Sequence, residues 1–197
     1  MPMQVNFHPM NKIYLFLLFL LLTSCEENKG ERITRLIQAW EGREIIFPKN
    51  SVFTIQGKDT VDFDWVNVDF KIVTYVDSTG CTGCKLQLLE WSDFIQEVDS
   101  LSNKNVSFVF YFHPKDKTKL RHLLRLNDFT HPVCFDEKDE FNALNDFPKE
   151  RELQTVLLNK NNEVIVIGNP HYTRSIRNVY LRRITESSNQ EKKASLP

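Results

Sequence analysis

The chain has 197 residues, of which 41% are hydrophobic and 26% charged, and its 25 Lys and Arg against 26 Asp and Glu give a net charge of −1. This composition is typical of a globular protein and excludes a disordered or collagen-like chain. The near-neutral balance also excludes a strongly basic nucleic-acid binder, so we expect no nucleic acid among its partners. The length suits one domain rather than two.

The first 24 residues predict a secretory signal. They contain no acidic residue and a single lysine, Lys12, which is followed by the uninterrupted apolar run Ile13–Leu22. A membrane-spanning helix needs about 20 apolar residues, roughly twice the length of this run. A short apolar core behind a positive charge is typical of a cleaved signal peptide, which we assign to residues 1–24.

The apolar run ends in Leu22-Thr23-Ser24-Cys25, which resembles the bacterial lipobox. That resemblance implies cleavage before Cys25 and lipidation of its thiol, and acyl chains on Cys25 would hold the protein on a bacterial membrane. With no Asp beside Cys25, the resemblance favours the outer membrane. The mature chain would then lie outside the cytoplasm, where disulfides are permitted. The alternative is a chance thiol that follows a transmembrane anchor.

The remaining elements are predicted from two periodicities. Apolar residues three and four apart predict amphipathic helices, and runs of β-branched and aromatic residues predict strands. In chain order we expect a helix at 31–40, short strands and turns at 44–68, a buried strand at 70–76 and a long helix whose apolar face begins at Cys84. A buried strand at 106–112, a helix capped by Asp116, a short strand at 131–135 and a short helix at 138–144 should follow. The chain should end with a hairpin of 155–158 with 164–167 and a final helix carrying Ile176, Val179, Tyr180 and Ile184.

This order of elements predicts the α/β class. A crossover pair of strands followed by an antiparallel hairpin gives a mixed central sheet with helices on both faces. We expect that domain at 44–186, with a lipidated tether and N-terminal helix at 25–43 before it. The polar residues 187–197 are expected to form a flexible tail.

The strand at 70–76 leads into the CxxC motif Cys81-Thr82-Gly83-Cys84, at a predicted strand-to-helix junction. Unpaired backbone N–H groups and the positive end of a helix dipole favour a thiolate, so the pKa of Cys81 should lie below the ~8.5 of a free cysteine. Cys84 lies on the apolar face, where a thiolate is disfavoured. This asymmetry suits thiol exchange in which Cys81 attacks and Cys84 resolves the mixed disulfide.

A CxxC pair has three other uses. A zinc site needs four ligands, and beyond Cys134 and scattered histidines the sequence offers no second pair. Covalent haem needs a histidine directly after the motif, where this chain has Lys85. A structural disulfide on a redox-inactive scaffold stays open as an alternative. None of the expected chemistry requires a metal or an organic cofactor.

These features resemble the extracytoplasmic thioredoxin-like family, in its membrane-anchored TlpA-type branch, over residues 44–186. The resemblance rests on the strand that ends at the CTGC motif, the extra strand and helix around 133–145, and the hairpin segment 157–164 (Leu-Leu-Asn-Lys-Asn-Asn-Glu-Val), which Gly168-Asn169-Pro170 follows. The sequence of these segments is similar to that of thioredoxin-like lipoproteins of Bacteroides-type bacteria. It implies a three-layer thioredoxin-like sandwich. Its implied partners are protein thiols and disulfides, an upstream redox protein and the membrane that holds the anchor.

Three positions depart from that family's pattern. Gly80 stands where the family has a tryptophan before the first cysteine, and Tyr75 stands where it has a buried acid. Leu153 or Gln154 stands where the family has a cis proline. A cis peptide bond before a residue other than proline costs about 3 kcal/mol, so we expect a trans bond there.

The other chemistry-bearing residues have structural interpretations. Cys134 lies in an apolar predicted strand and is expected to be a buried free thiol, with a third redox cysteine as the alternative. His113, His122 and His171 are expected at surface or capping positions rather than as ligands.

The leading hypothesis is a lipid-anchored extracytoplasmic thiol-disulfide oxidoreductase, a reductase or isomerase, with Cys81 and Cys84 as its redox pair. The second is a redox-inactive thioredoxin-fold accessory or binding lipoprotein whose cysteine pair is structural. A peroxiredoxin-type site would need a proline seven residues before Cys81, where the chain has Thr74.

Overall fold

The computed structural model describes residues 28–78, 86–101 and 105–194, with side chains through Glu186. The chain divides into two compact units, residues 1–35 and residues 36–197. In the first unit the described residues are helical from Lys29 onward. The second unit contains a β-sheet and the two layers that cover it.

The described residues form seven strands and five α-helices. The strands are β1 (Phe53–Ile55), β2 (Asp59–Thr60), β3 (Phe70–Val76), β4 (Val106–Phe112), β5 (Val133–Phe135), β6 (Thr155–Leu158) and β7 (Val164–Ile167). The helices are α1 (Lys29–Trp40), α2 (Leu88–Leu101), α3 (Lys117–Leu126), α4 (Glu140–Asn145) and α5 (Arg174–Ala194), with a 3₁₀ turn at Arg151–Leu153.

The strands make one mixed sheet in the order β2-β1-β5-β4-β3-β6-β7. Strands β3, β4 and β5 are mutually parallel, and the other pairings are antiparallel. Every residue of β3 and β4 is buried, because layers cover both sides of the sheet at its centre. The predicted α/β class, with a mixed central sheet and helices on both faces, is confirmed.

One side of the sheet, called the helix face here, is covered by α2, α3 and α5. Alternate strand residues such as Ile72 and Phe108 point to this side and pack against apolar stripes of the helices. The buried helical residues are Leu88, Trp91, Phe94 and Val98 of α2, Leu120 and Leu124 of α3, and Tyr180 and Ile184 of α5. These helices follow the predicted 3.6-residue period, and Asp116 caps α3 as expected by accepting a hydrogen bond from the Lys119 backbone N–H (3.0 Å).

The opposite side, called the loop face here, is covered by the end of α1, the segment 45–65 and the short helix α4. Its core is a set of aromatic rings rather than helical stripes. The rings of Tyr111 and Phe141 stack with centroids 4.1 Å apart, and Phe47 packs on Trp65 at 4.4 Å.

Buried polar side chains hold the loop face together. Asn145 is 1% exposed, and its amide accepts a hydrogen bond from the Ile46 N–H and donates to the Ile46 and Phe141 carbonyls, each at 2.8 Å. The Asp136 carboxylate accepts from the backbone N–H groups of Glu140 (2.9 Å) and Phe141 (2.8 Å). Because α4 is short, these bonds rather than helix propensity fix its position.

Two elements differ from the sequence prediction. The long helix does not continue from Cys84: Leu86 is helical, but Gln87 takes a φ of +45°, and α2 begins at Leu88. A left-handed residue interrupts the i to i−4 ladder, so the helix must start again after it. At the other end, α5 continues to Ala194, into the segment 187–197 whose flexibility stays a prediction.

Candidate functional site

The predicted site residues lie outside the described part of the chain. Cys81 and Cys84 fall within residues 79–85, and Cys25 falls within residues 1–27. Their attacking, resolving and lipidated roles therefore stay predictions. The structure describes what borders the CTGC segment on both sides, which is the end of β3 through Ser78 and the chain from Leu86 into α2.

On the strand side, Gln154 links the end of β3 to the turn before β6. Its buried side-chain amide donates to the Asp77 carboxylate and to the Pro148 carbonyl, both at 3.1 Å. The backbone carbonyl of Gln154 accepts from the Tyr75 backbone N–H at 2.9 Å. Gln154 is one of the two residues aligned with the family's cis proline. All described peptide bonds are trans, as expected for that loop.

On the helix side, Gln87 is held by the loop that follows β7. The Asn169 side-chain amide donates to the Gln87 side-chain carbonyl at 3.0 Å, and Asn169 Oδ1 accepts from the His171 backbone N–H at 2.8 Å. The backbone carbonyl of Gln87 accepts from the Trp91 backbone N–H at 2.9 Å, and this bond closes the first turn of α2. The side-chain bond to Asn169 helps to keep Gln87 in its left-handed conformation, which costs free energy for a residue with a Cβ.

A narrow crevice separates these two sides. It has a volume of about 10 Å³ and is lined by Gln87, Gln154 and Asn169 together with Arg151 and Tyr172. That volume holds at most one water molecule, so nothing of substrate size enters it. The described residues that line this crevice are therefore held together by hydrogen bonds and leave no room for a ligand among themselves.

Tyr75 occupies the position where the resembled family has a buried acid. Its hydroxyl donates to the Asp139 carboxylate at 2.6 Å. Burial, this hydrogen bond and the charges of Asp139 and Asp77 raise the pKa of Tyr75 far above its ordinary value. The phenol therefore stays protonated at neutral pH and does not act as a base there.

The sequence predicted His171 at a surface or capping position. In the structure His171 is partly buried, and its ring packs against α2. The edge of its ring meets Trp91 with centroids 4.4 Å apart, and Nε2 is buried with no hydrogen-bond partner among the described residues. Burial and the neighbouring Arg177 guanidinium lower the pKa of His171 to about 4. The ring is therefore neutral at physiological pH. The only sequence signal for its position is the Gly-Asn-Pro break just before it.

Cys134, the one cysteine among the described residues, is free and 5% exposed, as predicted. It lies in β5 between Tyr111 of β4 and Phe53 of β1. Burial and the nearby Asp136 charge raise the pKa of the Cys134 thiol to about 12. It is thus a thiol at neutral pH, and a thiol is a poor nucleophile.

The described residues offer neither a cluster of metal ligands nor a helix that could span a membrane. They contain no group of three His, Cys, Asp or Glu side chains arranged to hold a metal ion. None of their helices combines the length and the apolarity needed to cross a bilayer.

Comparison with known proteins finds no family model that matches the chain. Among curated proteins, the 1-phosphatidylinositol 4,5-bisphosphate phosphodiesterase delta-4 of Macaca fascicularis is 31% identical over 94 residues, and the Homo sapiens protein of the same name is also 31% identical over 94. The alignment covers 45% of this chain but only 12% of either relative. So small a share does not show membership of their family.

Solved structures resemble much more of the chain. The reduced 2-Cys peroxiredoxin of Plasmodium vivax matches 78% of this chain and 99% of its own, with a TM-score of 0.53 and 15% identity. StoA from Bacillus subtilis matches 61% of this chain and 91% of its own, with a TM-score of 0.44 and 19% identity. At these identities the likeness is one of fold. The chain is a thioredoxin-fold protein.

Proposed function

We propose that this thioredoxin-fold chain is a thiol-disulfide oxidoreductase whose redox pair is Cys81 and Cys84. The observation that carries the proposal is the position of the CTGC segment in the chain, as the connection from β3 to α2. Strands β3, β4 and β5 are parallel, and in open α/β sheets the carboxyl edge of parallel strands is where reactive groups gather. The CTGC segment follows the carboxyl end of β3 in the sequence, so we expect it at that edge.

The reaction needs no component besides two thiols and a disulfide. The Cys81 thiolate attacks one sulfur of a client disulfide, and the other client sulfur leaves as a thiolate that takes up a proton. The Cys84 thiolate then attacks the Cys81 sulfur of the mixed disulfide. The second client sulfur leaves, and an intramolecular Cys81–Cys84 disulfide remains. Two electrons pass from the protein to the client, and an upstream thiol donor restores the reduced pair.

The residues that border the CTGC segment would support this exchange by holding both ends of the segment in position. Gln154 ties down the strand end through Asp77, and Asn169 ties down the residue before α2 through Gln87. Neither Tyr75 nor Cys134 is a base or a nucleophile at neutral pH, because both have raised pKa values. The chemistry is therefore left to the CTGC cysteines.

Insulin reduction with dithiothreitol as the electron donor tests the proposal. We expect the Cys81→Ser variant to fall to the uncatalysed rate, because the attacking thiolate is gone. In a separate incubation of the reduced protein with insulin, without dithiothreitol, Cys84→Ser should accumulate a mixed disulfide with the client, seen as a mass adduct that a later addition of reductant removes. Cys134→Ser is the matched control and should keep the activity of the wild type, since Cys134 is buried and protonated.

The second hypothesis predicts the opposite result. If the wild type and Cys81→Ser reduce insulin equally slowly, the chain is a redox-inactive binding or accessory protein. A parallel assay with hydrogen peroxide should give slower turnover than insulin, because Thr74 stands where a peroxiredoxin-type site needs proline.

We also propose that lipidation of Cys25 anchors the protein outside the cytoplasm, on the outer membrane of a bacterium. The Leu22-Thr23-Ser24-Cys25 sequence supports this. In a Gram-negative host, the wild type should sediment with membranes and carry acyl chains by mass spectrometry. The Cys25→Ala variant should carry none, whereas Cys134→Ser should be acylated like the wild type. Equal acylation of the Cys25→Ala variant would contradict the anchor.

A further inference from the structure

A second concave surface lies between helix α3 and the turn that joins β1 to β2. It encloses about 670 Å³ and is lined by Gly57, Lys58, Asp59, Thr118, Arg121 and Arg125, together with the residues that open the turn. We call it the α3 cleft. Its volume is within the 300–1,000 Å³ range that small-molecule sites occupy. All of its lining residues are described, and none belongs to the CTGC border.

The α3 cleft is positively charged in a chain whose net charge is −1. Helix α3 carries Lys117, Lys119, Arg121 and Arg125 and no acidic residue. The Lys117 ammonium pairs with Glu137 at 2.7 Å, so this charge is matched outside the cleft. Arg121 and Arg125 are one turn apart, and like charges at that spacing destabilise a helix.

The cleft has one carboxylate, that of Asp59, against two arginines and Lys58. Neither Arg121 nor Arg125 forms an ion pair with any residue that the structure describes. Lys58 lies 3.8 Å from Asp59, but both side chains are largely solvated, and an exposed pair of this kind contributes little. Three cations thus face the cleft against one weakly paired acid.

Arg121 is held in place before any ligand arrives. Its Nε donates to the Gly57 carbonyl at 2.8 Å, and its two Nη groups donate to no described residue. Gly57 has a φ of +69°, and a Cβ at that position would approach Arg121 Cγ to 2.9 Å and Phe135 Cζ to 2.5 Å. The turn therefore packs tightly beneath the arginine stem. A fixed guanidinium loses less conformational entropy when its free N–H groups bind an anion.

We propose that the α3 cleft binds a phosphate group. Two guanidinium groups, one ammonium and the Thr118 hydroxyl line the cleft and are able to donate hydrogen bonds, and an Arg fork matches the oxygens of phosphate in pairs. Three positive charges against one acid suit a doubly charged anion better than a single carboxylate. The phosphate can belong to a soluble phosphorylated compound or to an anionic lipid headgroup. The proposal is independent of the thiol chemistry.

Binding of pyrophosphate and of phosphatidic acid vesicles by the purified protein tests it and separates the two sources. At low ionic strength (about 20 mM salt), we expect saturable binding in at least one arm. The Arg121→Gln, Arg125→Gln double variant should bind at least about tenfold more weakly. Arg182→Gln is the matched control, since Arg182 is exposed on α5 outside the cleft, and its affinity should stay within about twofold.

Two further variants guard against a folding artefact. Arg125→Gln alone leaves the Arg121–Gly57 hydrogen bond intact and should still weaken binding severalfold. Arg121→Lys keeps the charge but loses the fork, and it should bind more weakly than the wild type with an unchanged circular dichroism spectrum. Binding of pyrophosphate alone identifies a soluble ligand, and binding of vesicles alone identifies a lipid headgroup. The proposal is overturned by no saturable binding in either arm, or by equal weakening in Arg182→Gln and the double variant.

Discussion

The two faces of the sheet are built by different means. On the helix face, long helices lay continuous apolar stripes on the strands. On the loop face, a short helix and an irregular segment bring aromatic rings together, and buried polar side chains fix their positions. Stability on the helix face therefore depends mainly on apolar volume. On the loop face it depends also on single hydrogen-bonded side chains. The border of the CTGC segment uses both, through Trp91 and His171 on one side and Tyr75 with Asp139 on the other.

The largest effect is expected on the helix face. Trp91 is 1% exposed and contacts the rings of Phe110 and His171, so Trp91→Ala removes a large apolar volume and leaves a cavity. We expect a loss of about 3–5 kcal/mol in the free energy of unfolding, measured by urea titration. Leu89→Ala, two residues away and 60% exposed, is the control and should cost under about 0.5 kcal/mol. Similar losses for the two variants would contradict the assigned packing of α2.

On the loop face, removal of one amide should cost nearly as much. Asn145→Ala leaves the Ile46 N–H and C=O and the Phe141 C=O without their partner, and we expect a loss of about 2–3 kcal/mol. The control on the helix face is Ser92→Ala, whose hydroxyl donates only to the Leu88 carbonyl in its own helix. That loss should stay under about 0.5 kcal/mol. If the two substitutions cost the same, the contrast between the faces fails.

A pH effect should distinguish the helix face further. The pKa of His171 is about 4 in the fold and about 6.5 in the unfolded chain, so the unfolded state binds more protons between these values. The stability that the neutral ring contributes is present above about pH 6.5 and is lost as the pH falls toward 4.

His171→Gln cannot titrate there, so it isolates this contribution. The difference in free energy of unfolding, wild type minus variant, should shrink by about 1–2 kcal/mol on acidification from pH 7 to pH 4.5, after allowance for solvent screening of a half-buried ring. Urea titrations at several pH values measure it. His131, whose pKa burial also lowers, is present in both proteins and cancels. A constant or growing difference would show that His171 does not stay neutral in the fold.

The smallest effect concerns a single cap. Asp116→Ala removes the hydrogen bond to the Lys119 N–H at the start of α3, and we expect a loss of about 1 kcal/mol in thermal or urea unfolding. Asp116→Asn keeps an acceptor and should cost only a few tenths of a kcal/mol. An equal loss in both variants would mean that the charge, rather than the cap, matters.

The sequence predicted what depends on neighbouring residues. Strands β3 and β4 match their predicted bounds, and so do both strands of the β6–β7 hairpin. Runs of β-branched and aromatic residues between turn residues favour a strand through local sequence alone. Cys134 was correctly predicted to be buried for the same reason.

Contacts between distant segments were not predictable in this way. The Asn145 bonds to Ile46 join residues 99 positions apart, and the Gln87–Asn169 bond joins residues 82 apart. The left-handed conformation of Gln87 depends on the second of these, so the helix break was missed. At the candidate site the sequence predicts a role for the CTGC cysteines, and that role stays a prediction. The positions of Gln154, Asn169 and His171 depend on contacts between loops that are distant in the sequence.

The residues just after α1 have a consequence for how separate molecules behave. Gly42 and Arg43 exchange hydrogen bonds with Val164, and the Ile45 N–H bonds to Asn162, so this segment pairs with the first part of β7. At the far edge, β2 is only two residues long and begins with the charged Asp59. An unprotected edge strand recruits strands from other molecules and leads to aggregation, which short or charged edges resist. Proteolytic loss of the chain before Ile46 would uncover the edge of β7 and favour edge-to-edge association between molecules.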